Sequence, residues 1–138
     1  MSRSGYCEDG DNELANLWPN IVDRSIKGKR GQSFLMELAV AMDAMPEKKL
    51  IADDLVTETG EVCAIGVVCK ARGLDTTGVD IHDRYEVGKL VGIAPTLAAE
   101  IEYLNDDDFG YRRCGTESPE QRWTRMRKWV TDNLLVQP

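Results

Sequence analysis

The longest apolar run of the chain, Val62–Cys69, is the feature around which the other patterns are arranged. It carries no charge and no polar side chain other than two thiols. The β-branched residues within the run favour a strand. The cations Lys70 and Arg72, followed by Gly73, instead favour the last turn and the left-handed end of a helix. We therefore expect a core helix over residues 61–73, with a buried strand as the alternative.

Two amphipathic patterns precede this run, and each predicts a helix. In the first, apolar residues recur at three- and four-residue steps from Leu14 to Ile26, and Pro19 lies within the stripe. That helix either starts near Leu17, with the proline in its first turn, or kinks at the proline. The second pattern spans Phe34–Met45, and we expect its three methionines to fill the core.

The connection between these two helices is predicted as a short basic loop. It contains Lys27, Lys29 and Arg30, and we expect the second helix to open at Gln32 or Ser33. Backbone N–H groups at a helix N-terminus point outward and attract anions. The three cations are therefore candidate anion-binding residues, although the pattern G-x-x-x-x-G-K-[ST] of phosphate-binding loops is not met. The alternative is a solvated turn.

Three more helices are predicted after the apolar run. Residues 85–91 and 95–104 form two short helical patterns around Gly92, and their small residues resemble those of a helix-turn-helix. The segment Ser118–Gln121 places a serine at N-cap, a proline at N1 and a glutamine at N3, which predicts the start of the last helix. Residues 50–56 are ambiguous between a short helix and an edge strand.

Together these patterns predict a mainly α protein. We expect one compact domain of six or seven short helices over residues 11–138, with room for one small β element near 50–56. Residues 1–10 are polar and are expected to form a flexible lead. A chain of 138 residues with 42% hydrophobic content suits a single closed core. Since no apolar stretch suits a signal peptide or a membrane span, we expect a cytoplasmic protein without membrane contact.

The charge pattern suggests recognition of another macromolecule. Asp and Glu number 24 against 17 Lys and Arg, and the net charge of −7 disfavours indiscriminate binding to nucleic acid. Acidic residues concentrate near the end of the helix-turn-helix-like pair, and basic residues concentrate in the closing helix. An exposed patch of either sign attracts a partner of the opposite sign, whereas the alternative is a solvated surface. The candidate partner-binding residues are Glu100, Glu102, Asp106, Asp107, Asp108, Arg122 and Arg125.

The helix-turn-helix-like pair raises nucleic-acid binding as an alternative function. In that motif the second helix presents donors to base edges and phosphates. Here its exposed positions are expected to include Ala99, Glu100 and Glu102, and an acidic face is repelled by phosphate. Nucleic-acid binding is therefore disfavoured, although it stays open.

Catalysis and metal binding find little support in the sequence. The single histidine, His82, has Asp80 and Asp83 nearby, but nothing places a serine or cysteine nucleophile beside it. The four cysteines contain no C-x-x-C pair, so we expect reduced thiols rather than a zinc site. We expect no enzymatic activity, no cofactor and no metal.

Four segments of the chain carry a resemblance to a known group of proteins. They are Gly28–Gln32, Met45–Ala52, Gly60–Gly66 and Ser118–Trp123, and the similarity extends over residues 15–133. Together they resemble small uncharacterised proteins encoded by phages and prophages of proteobacteria. The resemblance implies a small accessory protein in a bacterial cytoplasm that binds a host protein and inhibits or redirects a host system. A nucleic-acid-binding or small-nucleotide-binding protein is the alternative.

Overall fold

The computed structural model describes residues 12–107 and 117–136, and the side chains of 19–106 and 117–136. The helices in these ranges are α1 (Asn12–Lys27), α2 (Lys29–Asp43), α3 (Ala64–Arg72), α4 (Arg84–Val91), α5 (Pro95–Asp107) and α6 (Pro119–Asn133). No strand or sheet occurs within the described ranges, so the expectation of a mainly α fold is confirmed. The lead predicted over residues 1–10 lies outside them.

Residues Ala64–Arg72, which hold most of the apolar run, form α3, so the helical alternative is the one adopted there. Val62 lies before the helix and pairs with Val56 in a β-bridge. Cys63 is its N-cap, because the thiol sulfur accepts a hydrogen bond from the N–H of Gly66 at 3.4 Å. Gly73 ends the helix with a φ of 69°, in the left-handed region that a glycine occupies without steric cost. All residues from Val62 to Cys69 are buried.

The segment before α3 lies directly on this helix, and Gly66 makes the close approach possible. A Cβ atom added at Gly66 would lie 1.9 Å from the carbonyl oxygen of Leu55. The N–H of Cys63 donates to the same oxygen at 3.1 Å. The segment therefore contacts α3 through its backbone, without a layer of side chains between them.

Residues 50–56 form neither of the two elements considered for them. In this part of the described chain, the β structure is an isolated antiparallel bridge between Val56 and Val62. The N–H of Ile51 also donates to the carbonyl of Val62 at 2.9 Å. The small β element predicted here is thus one bridge, because α3 begins at Ala64, two residues after Val62.

The first two helices begin earlier than expected. α1 starts at Asn12 and contains Pro19, so the shorter helix starting near Leu17 is not adopted. α2 starts at Lys29 rather than at Gln32 or Ser33, and Gly28 alone separates the two helices. The expected basic loop is wrong for this reason: two of its cations belong to the first turn of α2.

The three methionines expected in the second helix do not share one environment, and Met45 lies beyond the end of α2. Met42 is fully buried in the core, as expected. Met36 is 42% exposed, so the expectation that all three methionines fill the core is wrong for it. Val40 is 69% exposed on the same face of α2, one turn further along.

Helix α5 is the second central element, and it packs against α1, α3, α4 and α6. The tight turn expected between α4 and α5 is confirmed. A Cβ at Gly88 would lie 2.8 Å from the carbonyl of Ile93, and Gly92 has a φ of 80°. However, Ala99 and Glu100 are 5% and 3% exposed, so the expectation that they lie on an open face is wrong. Contacts on several sides of α5 leave it no such face.

None of the described helices is long and apolar enough to cross a membrane.

The contact at Gly66 gives a first prediction. We expect Gly66→Ala to lower the free energy of unfolding by about 3 kcal/mol, because the new methyl group would force α3 away from Leu55. Gly78→Ala meets no neighbouring atom, and we expect it to cost about 1 kcal/mol through its left-handed φ of 77° alone.

Urea denaturation of the two variants checks this prediction. An added methyl group without a clash would instead stabilise a helix by about 1 kcal/mol, since alanine is the better helix former. A Gly66→Ala protein as stable as the parent would therefore contradict the packing described here.

Candidate functional site

The two arginines selected as partner-binding candidates are used inside the protein. The side chains of Arg122 and Arg125 are 14% and 16% exposed. Arg125 binds both carboxylate oxygens of Glu117, with its Nε at 2.6 Å and its Nη2 at 2.8 Å. Arg125 also donates to the carbonyl of Leu104 at 2.5 Å, and Arg122 donates to that of Asn105 at 2.9 Å. Both arginines thus satisfy carbonyls in the last turn of α5, which lack partners within their own helix.

The side chain of Asn105 forms a buried polar centre beside these arginines. It is 1% exposed, and its Oδ1 accepts a hydrogen bond from the N–H of Ala64 at 3.0 Å. Its Nδ2 donates to the carbonyl of Ile51 at 2.9 Å and to the carboxylate of Asp106 at 2.6 Å. One amide therefore connects α5 to the start of α3 and to the segment before α3.

The acidic candidates do not form one open patch. Glu100 is 3% exposed and has a hydrogen-bonding or electrostatic partner of its own. Glu102 is hydrogen-bonded to the ring of His82. Asp106 accepts a hydrogen bond from the N–H of Asp53 at 3.3 Å. Asp108 and the side chain of Asp107 lie outside the described residues.

Burial sets the proton affinity of two of these carboxylates. Desolvation raises the pKa of Glu102, and the contact with His82 lowers it by less. Desolvation likewise raises the pKa of Asp106, against the hydrogen bond from Asn105. Asp53 has a φ of 71°, which is uncommon outside glycine and directs its N–H toward Asp106. Glu102 and Asp106 therefore bind protons more tightly than exposed carboxylates do.

The basic candidates are divided in a similar way. Lys27 forms an ion pair with Asp23 at 3.1 Å, one helical turn away in α1. Lys29 and Arg30 instead lie in the first turn of α2 and line a pocket of about 250 Å³, together with Arg72. The carboxylate of Glu37 also lines this pocket, and Arg72 binds it at 2.7 Å and 2.6 Å. That ion pair lowers the pKa of Glu37 and offsets the positive charge that an anion would meet.

A larger cleft, which the sequence did not predict, lies between α2 and α3. Its volume is about 500 Å³. Its aliphatic lining comes from Ala41, Met45, Val62, Val67 and Ala71. These residues belong to three separate stretches of the chain, so no local pattern reveals that they meet. The exposed Val40 could have served as a signal, since it breaks the polar face expected of α2.

Charged residues of both signs surround the mouth of this cleft. Lys49 forms an ion pair with the largely exposed Glu47 at 3.0 Å. Lys70 donates to the backbone carbonyl of Gly60 at 2.9 Å and so crosses one side of the opening. Glu61 is exposed and accepts a hydrogen bond from a threonine hydroxyl in the same turn. The cleft therefore combines an apolar lining with a polar rim.

The described thiols are unsuited to nucleophilic or metal chemistry. Cys63 and Cys69 are buried, and desolvation raises their pKa to about 12 and about 11, so both stay protonated at neutral pH. Among the residues with described side chains, no group of three His, Cys, Asp or Glu is arranged to hold a metal ion. Cys7 and Cys114 lie outside that part of the chain.

Comparisons with known proteins identify no relative of this chain. No protein-family model, no curated protein and no solved structure matches the chain.

The polar centre at Asn105 gives a second prediction. We expect Asn105→Ala to lower the free energy of unfolding by about 3 kcal/mol, because the N–H of Ala64 and the carbonyl of Ile51 would be left unpaired in the interior. Asn20→Ala, at an exposed position of α1, serves as the matched control and is expected to change stability by no more than about 0.5 kcal/mol. Thermal and urea unfolding of the two variants measure the difference, and similar losses in both would refute the role of Asn105.

Proposed function

We propose that this chain is a non-enzymatic binding protein that takes up an apolar segment of another protein in the cleft between α2 and α3. The observation that carries the proposal is the cleft itself, which has an aliphatic lining and charges at its rim. A concave apolar surface with a few polar groups around it is the usual form of a recognition site.

The shape of the apolar surface favours a helix as the bound segment. Met36 and Val40 of α2 and its C-cap residue Ala44 follow one another at four-residue steps, so they lie on one face. This stripe leads from the exterior of α2 to the cleft, which Ala44 and Met45 line. At 1.5 Å per residue the stripe is roughly 12 Å long, which suits two turns of an amphipathic helix better than a compact small molecule.

The rim charges support a partner that carries charges of its own. Lys70 is satisfied by a neutral backbone carbonyl, and a carboxylate on the partner would be a stronger acceptor for it. Met36 and Met45 add flexible side chains that can adapt to a bound surface. Recognition would then come from the aliphatic contact, and the charges would orient the partner.

This proposal places the binding surface away from the charged candidates selected from the sequence. Arg122, Arg125 and Glu100 are committed to contacts within the fold, so a change in any of them would test stability before it tested binding. That the partner is a host protein in a bacterial cytoplasm, and that binding inhibits a host system, follows from the phage-like resemblance and stays a prediction.

Nucleic-acid binding through the helix-turn-helix-like pair loses its support. Such a motif needs an accessible second helix that can enter the major groove. In this protein that helix is α5, which packs against four other helices.

Blocking the cleft gives a third prediction. We expect Ala71→Glu to weaken partner binding at least about tenfold, because it places a carboxylate over the aliphatic lining. Asn20→Glu adds the same charge at an exposed position of α1 and is the matched control. The measurement is a pull-down from bacterial lysate with the parent and both variants, followed by titration of the purified partner.

The proposal requires one specific outcome. A stoichiometric partner should be retained by Asn20→Glu and lost by Ala71→Glu, with both variants as stable as the parent. If both variants retain the partner equally, the cleft is not the binding site. If no variant captures a stoichiometric partner, the proposed binding function itself fails.

A further inference from the structure

The histidine of the chain lies among carboxylates that come from different parts of the fold. His82, in the connection between α3 and α4, is hydrogen-bonded through Nδ1 to Glu102 of α5. Its ring is 44% exposed, whereas the side chain of Glu102 is 16% exposed. The charged groups that act on this pair are Asp80 of the same connection, Arg84 of α4, Asp106 of α5 and, through Asp106, Asp53 of the segment before α3.

In this arrangement the charge on the imidazole changes the repulsion between the neighbouring carboxylates. A protonated ring balances Glu102 and reduces the repulsion between Glu102 and Asp106, one turn apart on α5. A neutral ring leaves two carboxylates close together in a partly buried place, where their repulsion is weakly screened. The arrangement therefore favours the proton on His82.

The connection that carries His82 reaches the core through three apolar side chains and one backbone hydrogen bond, which the N–H of Leu74 donates to the carbonyl of Cys69 at 2.9 Å. Ile81 is buried, and Leu74 and Val79 are half-buried against the core. The backbone N–H groups of Thr77, Val79 and His82 donate within the connection itself. Contact with α5 through a polar side chain is thus a substantial part of what holds this stretch in place.

We propose that His82 is a proton-controlled clamp, which holds residues 74–83 against α5 when its ring is charged and releases them when the ring is neutral. The segment then changes its mobility within the pH range of a cell, because histidine is the side chain that titrates there. The clamp is a regulatory device in the fold and is independent of the cleft between α2 and α3.

The direction of the pH dependence follows from the pKa shifts of His82 and Glu102. The hydrogen bond that the ring of His82 donates to the carboxylate of Glu102 raises the pKa of His82 above its usual 6.5. The stability that the pair contributes is therefore fully present below pH 6.5 and is lost as the pH rises through the folded-state value. Burial also raises the pKa of Glu102, so both groups bind protons more tightly in the folded protein.

The test combines ring titration with amide exchange on the full chain between pH 5.5 and 8.5, values chosen to bracket a titrating histidine. In the parent we expect protection of the 74–83 amides, corrected for intrinsic exchange, to fall severalfold as the ring loses its proton. Glu102→Gln should lower the pKa of His82, and His82→Gln should remove the pH dependence of protection. The amide of Gly60, which donates to the carbonyl of Thr57 at 2.9 Å, is the internal reference.

A matched variant separates the clamp from general electrostatics. Glu86→Gln removes an equal charge from an exposed position of α4, and we expect it to leave the pKa of His82 and the protection of 74–83 near those of the parent. If Glu86→Gln and Glu102→Gln shift the pKa of His82 equally, the hydrogen bond with Glu102 does not determine that pKa. If the ring titrates but the protection of 74–83 follows that of Gly60 in the parent, there is no clamp.

Discussion

The fold depends on a buried amide group that has to be satisfied from several directions at once. Burying a carboxamide without hydrogen bonds costs several kcal/mol, so the helices can close around Asn105 only when its partners are in place. Those partners are the N–H of Ala64, the carbonyl of Ile51 and the carboxylate of Asp106. Hydrophobic burial is non-directional and would accept many helix arrangements, whereas this set of contacts accepts few.

The burial of this end of α5 also explains the contacts that the arginines of α6 make. Once the end of α5 lies in the interior, its terminal carbonyls need donors, because they have no partner within the helix. Arg122 and Arg125 supply those donors, and both form an ion pair with Glu117. The basic character of this part of the sequence is therefore a requirement of packing, and it gives little information about a partner.

Features governed by neighbouring residues could be predicted from the sequence. The capping box that starts with Ser118, the left-handed helix end at Gly73 and the turn at Gly92 appear as expected, since each depends on residues within one turn. The mainly α class and the burial of the central run follow from local periodicity and composition. The structure around Gly28 was harder to predict, because a glycine between two basic residues suits a loop and a helix N-cap equally well.

Features that depend on distant residues could not be predicted. Asn105 meets Ala64 and Ile51, which lie 41 and 54 residues away along the chain. Nothing near Asn105 in the sequence distinguishes it from a solvated asparagine at a helix end. Glu100 was expected at the surface because a carboxylate usually lies there, and its burial results from helices that pack on several sides of α5. The cleft is likewise formed by three stretches that meet only in the fold.

Ion pairs within the fold limit which charged side chains remain available to recognise a partner. Several cations are paired within the fold, among them Arg72 with Glu37 and Arg127 with Asp43. The surplus of acidic residues is then carried by exposed positions such as Asp54 and Glu58. A diffuse surplus of this kind repels anionic surfaces and influences the rate of approach, but it fixes no orientation. The binding that we propose would therefore require shape and apolar area, and within the described residues the cleft between α2 and α3 offers both.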